Sequence, residues 1–353
     1  MSFSHLEPFK GISKKRLIEI LDKIQEVKIG FVGDISIDMY WIADMKKSEL
    51  SRETPHFPLP IVEEKLQLGS GGNVMANLAA LKPRKIVSTS VIGDDWRGDL
   101  VKSCMKELAI PMDHILTISG LTTNAYCKPI KMGISNVVYE DPRIDFTGAP
   151  INEKTEKQLI SNLEKMAGEV DAICVTDQFE NGCITEKIRN VLFDISDSKL
   201  NIVVDSRDRA GKFKNVILKP NEIECFRAAS ELSGIDAKEF VEKDMDGILL
   251  AANIIKEKLN CDLSLTLGSK GNIQFYDQNS IHISPRDIKD PLDFCGAGDS
   301  FLSAYVSALA SGASREEAGQ IGSLASEVVI SKVGQTGVTA ISEIISRYEN
   351  AYM

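Results

Sequence analysis

The sequence has no excess of basic residues and no long apolar run. Its 41 lysines and arginines stand against 51 aspartates and glutamates, which gives a formal net charge of −10. A nucleic-acid-binding surface needs a basic face, so this balance argues against nucleic acid as a partner. No apolar stretch reaches the roughly 18 residues that a membrane span needs. We therefore expect neither nucleic acid nor a membrane among the partners of this chain.

Paired cysteines are also lacking. The seven cysteines are scattered singly, none forms a Cys-x-x-Cys pair, and their number is odd. This pattern argues against a disulfide framework and a zinc site, and it favours the reducing cytoplasm. Residues 1–26 are charged and contain no apolar core of a signal peptide, which indicates the same localisation.

What the sequence does contain is a regular alternation of strand and helix patterns. A helix is predicted from Ser13 to about Glu26, and the apolar run at 27–32 predicts a buried strand after it. Further strands are predicted at 86–92, 172–176, 202–205, 216–218 and 263–267, with helical patterns between them. This alternation indicates βαβ units, and hence an α/β fold with a mainly parallel sheet.

Two regions break the alternation. Residues 40–68 contain three prolines within an extended pattern, and residues 125–139 resemble two short strands joined at Gly133. Both are predicted to be antiparallel additions outside the main sheet. A small sheet of this kind could cover the carboxyl ends of the parallel strands, where α/β proteins bind ligands. The alternative is a pair of surface excursions without function.

The segment from Asp293 to Asp299, with sequence Asp-Phe-Cys-Gly-Ala-Gly-Asp, is the most informative part of the chain. It directly precedes a strongly helical run. A glycine-rich entry into a helix N-terminus forms an anion site without any basic side chain. An acidic residue there is explained if Asp299 accepts a proton from a hydroxyl while the amides hold a phosphoryl group. The alternative is that Asp299 is an ordinary helix cap.

Two segments near the N-terminal end could contribute to the same site. In the stretch 33–38, either Asp34 or Asp38 could accept hydrogen bonds from sugar hydroxyls, or could only cap a turn. The stretch Gly69-Ser70-Gly71-Gly72-Asn73 leads into a helix and matches neither a dinucleotide-binding fingerprint nor a Walker A loop. Its asparagine could be a cap or could contact a ligand.

Two further segments lie towards the C-terminal end. Asn221 and Glu224 follow a strand end, where the carboxylate could hold magnesium through water or could only complement a helix dipole. The stretch 266–271 leaves another core strand, and it could either cradle a nucleotide or form an ordinary tight turn.

The order and spacing of these motifs resemble those of the ribokinase (PfkB) family of carbohydrate kinases. The family signature Asp-Thr-x-Gly-Ala-Gly-Asp is matched from Asp293 to Asp299, with a departure at Phe294. The family's Gly-Gly stretch resembles 69–73, its Asn-x-x-Glu motif matches 221–224, and its Thr-x-Gly-x-x-Gly turn matches 266–271. The resemblance covers residues 27 to about 340. It implies a ribokinase-like three-layer α/β sandwich with a mainly parallel central sheet and a small β lid.

This resemblance also implies how the chain is divided. Residues 1–26 are expected to form an N-terminal helical extension, and residues 27–353 a PfkB-type kinase domain. The lid strands are expected as insertions at about 40–68 and 125–140.

Within that family, the chain is similar to heptose 7-phosphate kinases, the kinase half of the bifunctional ADP-heptose synthase. The similarity lies in the segments 33–41, 51–60 and 143–146. One departure is Asp205-Ser206-Arg207-Asp208, where those kinases often have Asp-Pro-Lys-Gly. From the length of the sequence, we expect no nucleotidyltransferase half. The resemblance therefore implies a single sugar kinase, with heptose 7-phosphate as one possible acceptor.

The resemblance assigns roles to individual residues. Asp299 is the expected general base, within an anion hole formed by Gly296, Ala297 and Gly298. The residues expected to hold the sugar are Asp38, Gly69 and Asn73, with Arg143 on a substrate phosphate. The residues expected to bind the nucleotide are Asn221, Glu224, Thr266, Gly268 and Gly271. Glu224 is also expected to hold magnesium through water, and Asp293 to form part of a monovalent-cation site.

The implied co-substrate is ATP, with Mg²⁺ and, in many family members, K⁺. The implied assembly is a homodimer through the β lid. Three alternatives remain open from the sequence: a free-sugar kinase of the ribose or fructose type, a non-catalytic sugar- or nucleotide-binding regulator on the same fold, and a dehydrogenase. The dehydrogenase is disfavoured because no Gly-x-Gly-x-x-Gly follows the first strand.

Overall fold

The computed structural model describes residues 6–135, 137–196, 200–286, 288, 292–333 and 337–352. The first five residues of the expected N-terminal extension, residue 136 of the predicted hairpin and residue 353 lie outside the described residues.

Ten strands form the central sheet among the described residues. They are β1 (Glu7–Pro8), β2 (Lys28–Gly33), β5 (Lys85–Gly93), β6 (His114–Ile118), β10 (Ala172–Asp177), β11 (Asn201–Ser206), β12 (Ile217–Leu218), β13 (Asp262–Thr266), β14 (Asn272–Tyr276) and β15 (Asn279–Ile283). Their spatial order is β1-β15-β14-β13-β12-β11-β10-β2-β5-β6. Only the β13–β14 and β14–β15 pairs are antiparallel, so the sheet is mainly parallel, as predicted.

Helices cover both faces of this sheet. They are α1 (Lys14–Ile24), α2 (Gly71–Leu81), α3 (Trp96–Glu107), α4 (Glu153–Ala167), α5 (Glu186–Ser196), α6 (Glu222–Ser233), α7 (Ala237–Val241), α8 (Asp244–Leu259), α9 (Ala297–Ala310), α10 (Arg315–Ile330) and α11 (Ile341–Tyr352). Short 3-10 helices occupy Met45–Lys47, Ala210–Lys212 and Gly268–Lys270. Within the described ranges, no helix is both long enough and apolar enough to cross a membrane.

The strands separate two hydrophobic cores because successive side chains point to opposite faces. In β10, Ala172 and Cys174 belong to the core shared with α1, α2 and α9, whereas Ile173 and Val175 belong to the core shared with α4, α6 and α8. A sheet buried on both faces by helices confirms the predicted three-layer sandwich.

The N-terminal segment is built into this body rather than extending from it. Ser13 caps α1 by accepting the Arg16 N–H at 3.2 Å, and Leu17, Ile20, Leu21 and Ile24 are fully buried. The helix ends at Ile24, two residues before the predicted end. Ahead of it, β1 pairs with β15 at the edge of the central sheet.

A second sheet forms the lid. Its strands are β3 (Ile35–Asp44), β4 (Ile61–Ser70), β7 (Ala125–Met132), β8 (Tyr139–Glu140) and β9 (Ile144–Phe146). The prediction of purely antiparallel additions is wrong in one respect, because β3 and β7 pair in parallel. β3 follows β2 and β7 follows β6. Both lid strands therefore start at the carboxyl ends of parallel strands and run in the same direction. The proline-containing residues 48–60 form no strand.

The chain order places a crevice at the middle of the central sheet. From β2 the chain proceeds through the lid to β5 and β6 on one side, and then returns to β10 and continues to β13 on the other side. Such a switch point separates the connections that follow β2 and β10, and ligands bind there in open α/β sheets. The Asp34 N–H donates to the Thr176 carbonyl at 3.1 Å, and the Gly71 N–H donates to the Asp34 carbonyl at 2.8 Å. These bonds hold α2 at the crevice.

Candidate active site

Helix α9 presents its N-terminus to the crevice. Gly296 caps the helix with φ of 79°, a left-handed conformation that glycine adopts without strain. The Ala297 N–H donates to the Phe294 carbonyl at 3.3 Å and so closes a turn. Within the described part of the chain, the Gly298 and Asp299 amides have no backbone acceptor. Of the three predicted anion-hole positions, Gly298 therefore offers a free amide, Ala297 is engaged in the turn, and Gly296 shapes the entry.

The space beside Gly298 faces a cation. A Cβ atom added at Gly298 would lie 3.7 Å from the Lys219 Nζ, which is the nearest atom it would meet. An anion at the helix N-terminus would thus contact both free amides and an ammonium group. Lys219 was not predicted as a site residue, although its position directly after the buried strand β12 could have revealed it.

The Asp299 carboxylate lies in the first turn of α9 and is hydrogen-bonded to α2. The Asn73 Nδ2 donates to Asp299 Oδ2 at 2.6 Å. Burial raises the pKa of Asp299 to about 7, although the Asn73 hydrogen bond opposes this shift. A carboxyl group with a pKa near neutrality can exchange a proton at physiological pH. The geometry thus joins two predicted residues, one expected as the base and the other as a sugar contact.

Asn73 is in turn held by groups that the sequence analysis missed. The Asn77 Nδ2 donates to the Asn73 carbonyl at 3.0 Å, and the Asn77 Oδ1 accepts the Thr339 N–H at 3.2 Å. All three residues are buried. The spacing of four between the two asparagines places them on one face of α2, which is the signal in the sequence that could have identified Asn77.

Three charged groups meet below the helix N-terminus. The Lys219 Nζ lies 3.0 Å from the Asp205 Oδ2, and both residues are buried. Burial alone would lower the pKa of Lys219, but the charges of Asp205 and Glu224 outweigh this effect. The pKa of Lys219 is therefore above its ordinary value, and the group stays an ammonium. Burial and the Asp205 charge raise the pKa of Glu224 to about 7. Asp205, the one residue of the 205–208 segment that agrees with the pattern of those kinases, is therefore part of the site.

Asn221 and Glu224 form a capping box at the start of α6. The Asn221 Oδ1 accepts the Glu224 N–H, and the Glu224 Oε2 accepts the Asn221 N–H, both at 2.9 Å. One oxygen of Glu224 is thus engaged at the N-terminus of α6. Asn221 also bridges to Thr266, so the two nucleotide motifs lie side by side at the carboxyl ends of β12 and β13.

The two glycines of the 266–271 turn differ. At Gly271, φ is 88°, and an added Cβ would lie 2.1 Å from the Ile283 carbonyl oxygen, so this glycine is required by the turn itself. At Gly268, an added Cβ would meet nothing within 4 Å. Only Gly268 therefore lines open space.

Asp34 and Asp38 have different environments. Asp34 accepts backbone N–H groups from Gln178, Phe179 and Cys183 at 2.7 to 2.9 Å, so it orders the loop after β10. Asp38 lies on the lid strand β3, and an added Cβ at Gly69 would lie 2.2 Å from its Oδ1. Gly69 thus makes room for the Asp38 carboxylate.

Arg143 lies on the same face of the lid as Asp38. Its guanidinium forms two bonds to Asp145, at 2.6 and 2.8 Å, and lies 4.0 Å from the centre of the Tyr126 ring. Burial raises the pKa of Tyr126, and the nearby cations Arg207 and Arg143 oppose this shift. Two arginines are therefore close to one aromatic ring at the mouth of the crevice.

Lys131 does not join this group of cations. It is three residues from Lys128 on β7 and so faces the opposite side of the lid, where its Nζ lies 2.7 Å from Asp141. Both lysines lie in one predicted hairpin, and only the strand geometry shows that they face opposite sides of the lid.

Asp293 forms a turn at the entry to α9. Its Oδ1 accepts the Cys295 N–H at 3.0 Å, and its own N–H donates to the Ile330 carbonyl at 2.9 Å. Phe294, the departure from the motif, is 71% exposed. Within the described ranges, no group of three or more histidine, cysteine or acidic side chains is arranged to hold a metal ion.

Comparisons with known proteins identify relatives over almost the whole chain. The model of the pfkB family of carbohydrate kinases matches residues 34–340. The Bifunctional protein HldE of Aliarcobacter butzleri is 29% identical over 91% of this chain and 64% of its own length. The protein of the same name from Campylobacter concisus is 30% identical over 91% and 64%. The chain thus spans less than two thirds of the length of each of these two proteins.

Solved structures share the fold. Arabidopsis thaliana ribokinase complexed with ribose and ATP has a TM-score of 0.67 at 18% identity, covering 91% of this chain and 98% of its own. Phosphofructokinase-2 from Escherichia coli in complex with fructose-6-phosphate has a TM-score of 0.69 at 18% identity, covering 93% and 100%. A structure of the latter enzyme in complex with potassium has a TM-score of 0.70 at 20% identity, with coverage of 93% and 100%. The predicted ribokinase-like fold is confirmed.

The partly buried carboxylate of Asp299 makes a prediction about stability. Its pKa in the folded protein is about 7, above the value of roughly 3.9 in an unfolded chain, so the folded state loses stability as the pH rises through this interval. We expect Asp299→Asn to raise the melting temperature at pH 8, by about 1–2 °C for each kcal/mol relieved in a chain of this length. The increase should shrink as the pH is lowered to 5.

Thermal unfolding followed by circular dichroism at both pH values measures this effect. The matched control is Asp113→Asn, an exposed carboxylate, for which no change is expected. An equal or lower melting temperature for Asp299→Asn at pH 8 would contradict the prediction.

Proposed function

The chain belongs to the pfkB family of carbohydrate kinases, and from that premise we propose that it transfers the γ-phosphoryl group of ATP to a hydroxyl of a sugar phosphate, such as a heptose 7-phosphate. The observation that carries this proposal is the partly buried Asp299 carboxylate beside the free amides of α9 and the Lys219 ammonium. A hydroxyl nucleophile needs a proton acceptor, and the transferring group needs compensation of its negative charge.

The reaction follows from these groups. The acceptor hydroxyl gives its proton to Asp299 while its oxygen forms a bond to the γ-phosphorus, and the bond from that phosphorus to the bridging oxygen of ATP breaks. The products are the phosphorylated sugar and ADP. The Gly298 and Asp299 amides and Lys219 stabilise the charge on the transferring group. Gly296 and Ala297 support this role by shaping the turn.

The nucleotide is proposed to lie between α6 and the turn after β13. Asn221, Glu224, Thr266 and Gly268 would face it, and Gly271 would act through the turn. The carboxylates of this region fit magnesium only through bridging water, because one Glu224 oxygen accepts a backbone N–H and Lys219 neutralises Asp205. When bound, magnesium neutralises phosphate charge. Activity that persists after removal of divalent ions by a chelator would contradict this proposal.

A monovalent cation such as K⁺ is proposed near Asp293. The support is the bond from Asp293 to the Ile330 carbonyl, which joins the entry of α9 to the end of α10. An unchanged turnover number after replacement of K⁺ by a tetraalkylammonium ion would exclude a required cation.

The sugar is proposed to lie between the lid and α9, held by Asp38, Gly69 and Asn73. Arg143 is proposed to bind the phosphate that the acceptor already carries, because a guanidinium matches phosphate geometry and Arg207 lies near the same ring. The similarity to the HldE proteins, which are longer than this chain, supports a heptose phosphate acceptor.

The lid is proposed to form a homodimer interface. Its outer part carries exposed apolar side chains, namely Phe57, Ile61, Val62, Met132, Ile134, Val138 and Tyr139. Exposed strands and apolar faces of this kind are usually covered by a partner. A strict monomer in sedimentation velocity at micromolar concentration would remove this proposal.

All seven cysteines are free thiols, which supports a cytoplasmic location.

The function is tested by Asp299→Asn. We expect turnover to fall by about 10²-fold or more, because the variant keeps the shape of the site but cannot accept the proton. ATP binding, measured by calorimetry, should be retained. ADP release in the presence of a panel of sugars and sugar phosphates gives the rate. Near-normal turnover would remove Asp299 from the mechanism, and no turnover by the unaltered protein on any acceptor would favour a binding function instead.

The acceptor class is tested by Arg143→Ala. We expect the Michaelis constant for the phosphosugar to rise roughly 10- to 100-fold, the scale of a lost charged hydrogen bond, with that for ATP unchanged. The matched control is Lys131→Ala, which removes a paired cation from the opposite face of the same lid. Equal losses for a free sugar and its phosphate would contradict phosphate binding and favour a free-sugar kinase.

A further inference from the structure

Lys128 of the lid strand β7 is engaged by two groups of the neighbouring strand. Its Nζ lies 3.1 Å from the Asp38 Oδ2 and 3.0 Å from the Tyr40 OH, and it also lies 4.5 Å from the centre of the Tyr40 ring. The parallel register of β3 and β7 pairs Tyr40 with Lys128, so these side chains share one face of the lid. The lysine side chain is only 13% exposed.

The two oxygens of Asp38 are consequently not equivalent. Oδ2 accepts the Lys128 ammonium, whereas Oδ1 is buried and has no partner within the described residues. A buried oxygen without a partner loses the hydrogen bonds that water would supply. Gly69 leaves this oxygen unobstructed on the side towards α2, because a Cβ there would lie 2.2 Å away.

We propose that Lys128 is a positioning and specificity-determining residue that holds Asp38 through Oδ2, so that Oδ1 alone accepts an acceptor hydroxyl. This inference rests on the proposed function and specifies how the sugar is recognised. A free aspartate could bind two neighbouring hydroxyl donors, one on each oxygen. With Oδ2 occupied, the site offers one acceptor oxygen in a fixed position, so it selects a sugar that presents a single hydroxyl donor there.

Lys128 is suited to this role rather than to holding phosphate. Its charge is matched by Asp38 at close range, so the pair presents no net positive charge to an anion. Burial lowers the pKa of Lys128, but Asp38 and Tyr40 raise it above its ordinary value, so the ammonium persists. Arg143, which precedes the adjacent strand β9, is also paired with a carboxylate, but its side chain is 43% exposed and so remains accessible to an anion.

The experiment compares binding of two matched pairs by calorimetry: a heptose 7-phosphate with the free heptose, and fructose 6-phosphate with fructose. We expect Lys128→Met to weaken both members of a pair by the same factor, about 10-fold, as for one charge-assisted hydrogen bond. Lys128→Arg should recover most of the affinity, because it keeps the charge. Lys131→Met, on the opposite face of the lid, should bind like the unaltered protein.

A double-mutant cycle separates positioning from direct contact. If Lys128 acts through Asp38, then Lys128→Met in an Asp38→Asn background should cause little further loss, and the coupling should reach at least about fivefold. Additive effects overturn the inference, as does a loss confined to the phosphorylated member of each pair, which would make Lys128 a phosphate ligand. The ATP affinity of each variant reports that the fold is intact.

The same measurements distinguish this inference from the proposed function. If the unaltered protein binds the sugars and shows the coupling but releases no ADP with them, the kinase proposal fails while the role of Lys128 stands. If it phosphorylates an acceptor while the two substitutions act independently, the role of Lys128 fails alone.

Discussion

The site depends on holding a partly desolvated, ionisable carboxylate at a helix N-terminus. The packing of α2 against α9 shields Asp299 from part of the solvent, and the cost of this desolvation is relieved by the Asn73 amide and by the positive end of the helix. The carboxylate is therefore held by the same two helices that form one hydrophobic core of the domain. Any change in how α2 meets α9 alters both the stability of the core and the proton affinity of the site.

Part of this arrangement could be predicted from the sequence because it is local. The turn that leads into α9 needs Gly296, and the capping box of Asn221 and Glu224 needs residues three apart. Both features can therefore be predicted from the spacing of residues along the chain. The three-layer sandwich follows from the alternation of strands and helices. By contrast, Lys219 and Asp205 come together only because β11 and β12 are neighbours in the sheet. No spacing along the chain encodes that contact.

The lid shows the same limit. The prediction that 40–68 and 125–139 are antiparallel additions considers each region alone. In the structure, β3 and β7 pair with each other in parallel, because each follows a strand of the central sheet. That pairing decides which side chains share a face: Lys128 lies beside Asp38, and Lys131 is directed away from it. Whether Lys128 and Lys131 share one face of the lid is therefore decided by the strand register, which depends on contacts far apart in sequence.

The position of the N-terminal segment has a consequence for how the chain acquires its structure during synthesis. Helix α1 packs on α9 and α11, and the Ile12 N–H donates to the Gln320 Oε1 at 2.7 Å. Strand β1 likewise pairs with β15. The partners of β1 and α1 thus lie far along the chain and are made long after them. Until those partners are made, the apolar face of α1 has nothing native to pack against, so this part of the fold closes only after most of the domain has been synthesised.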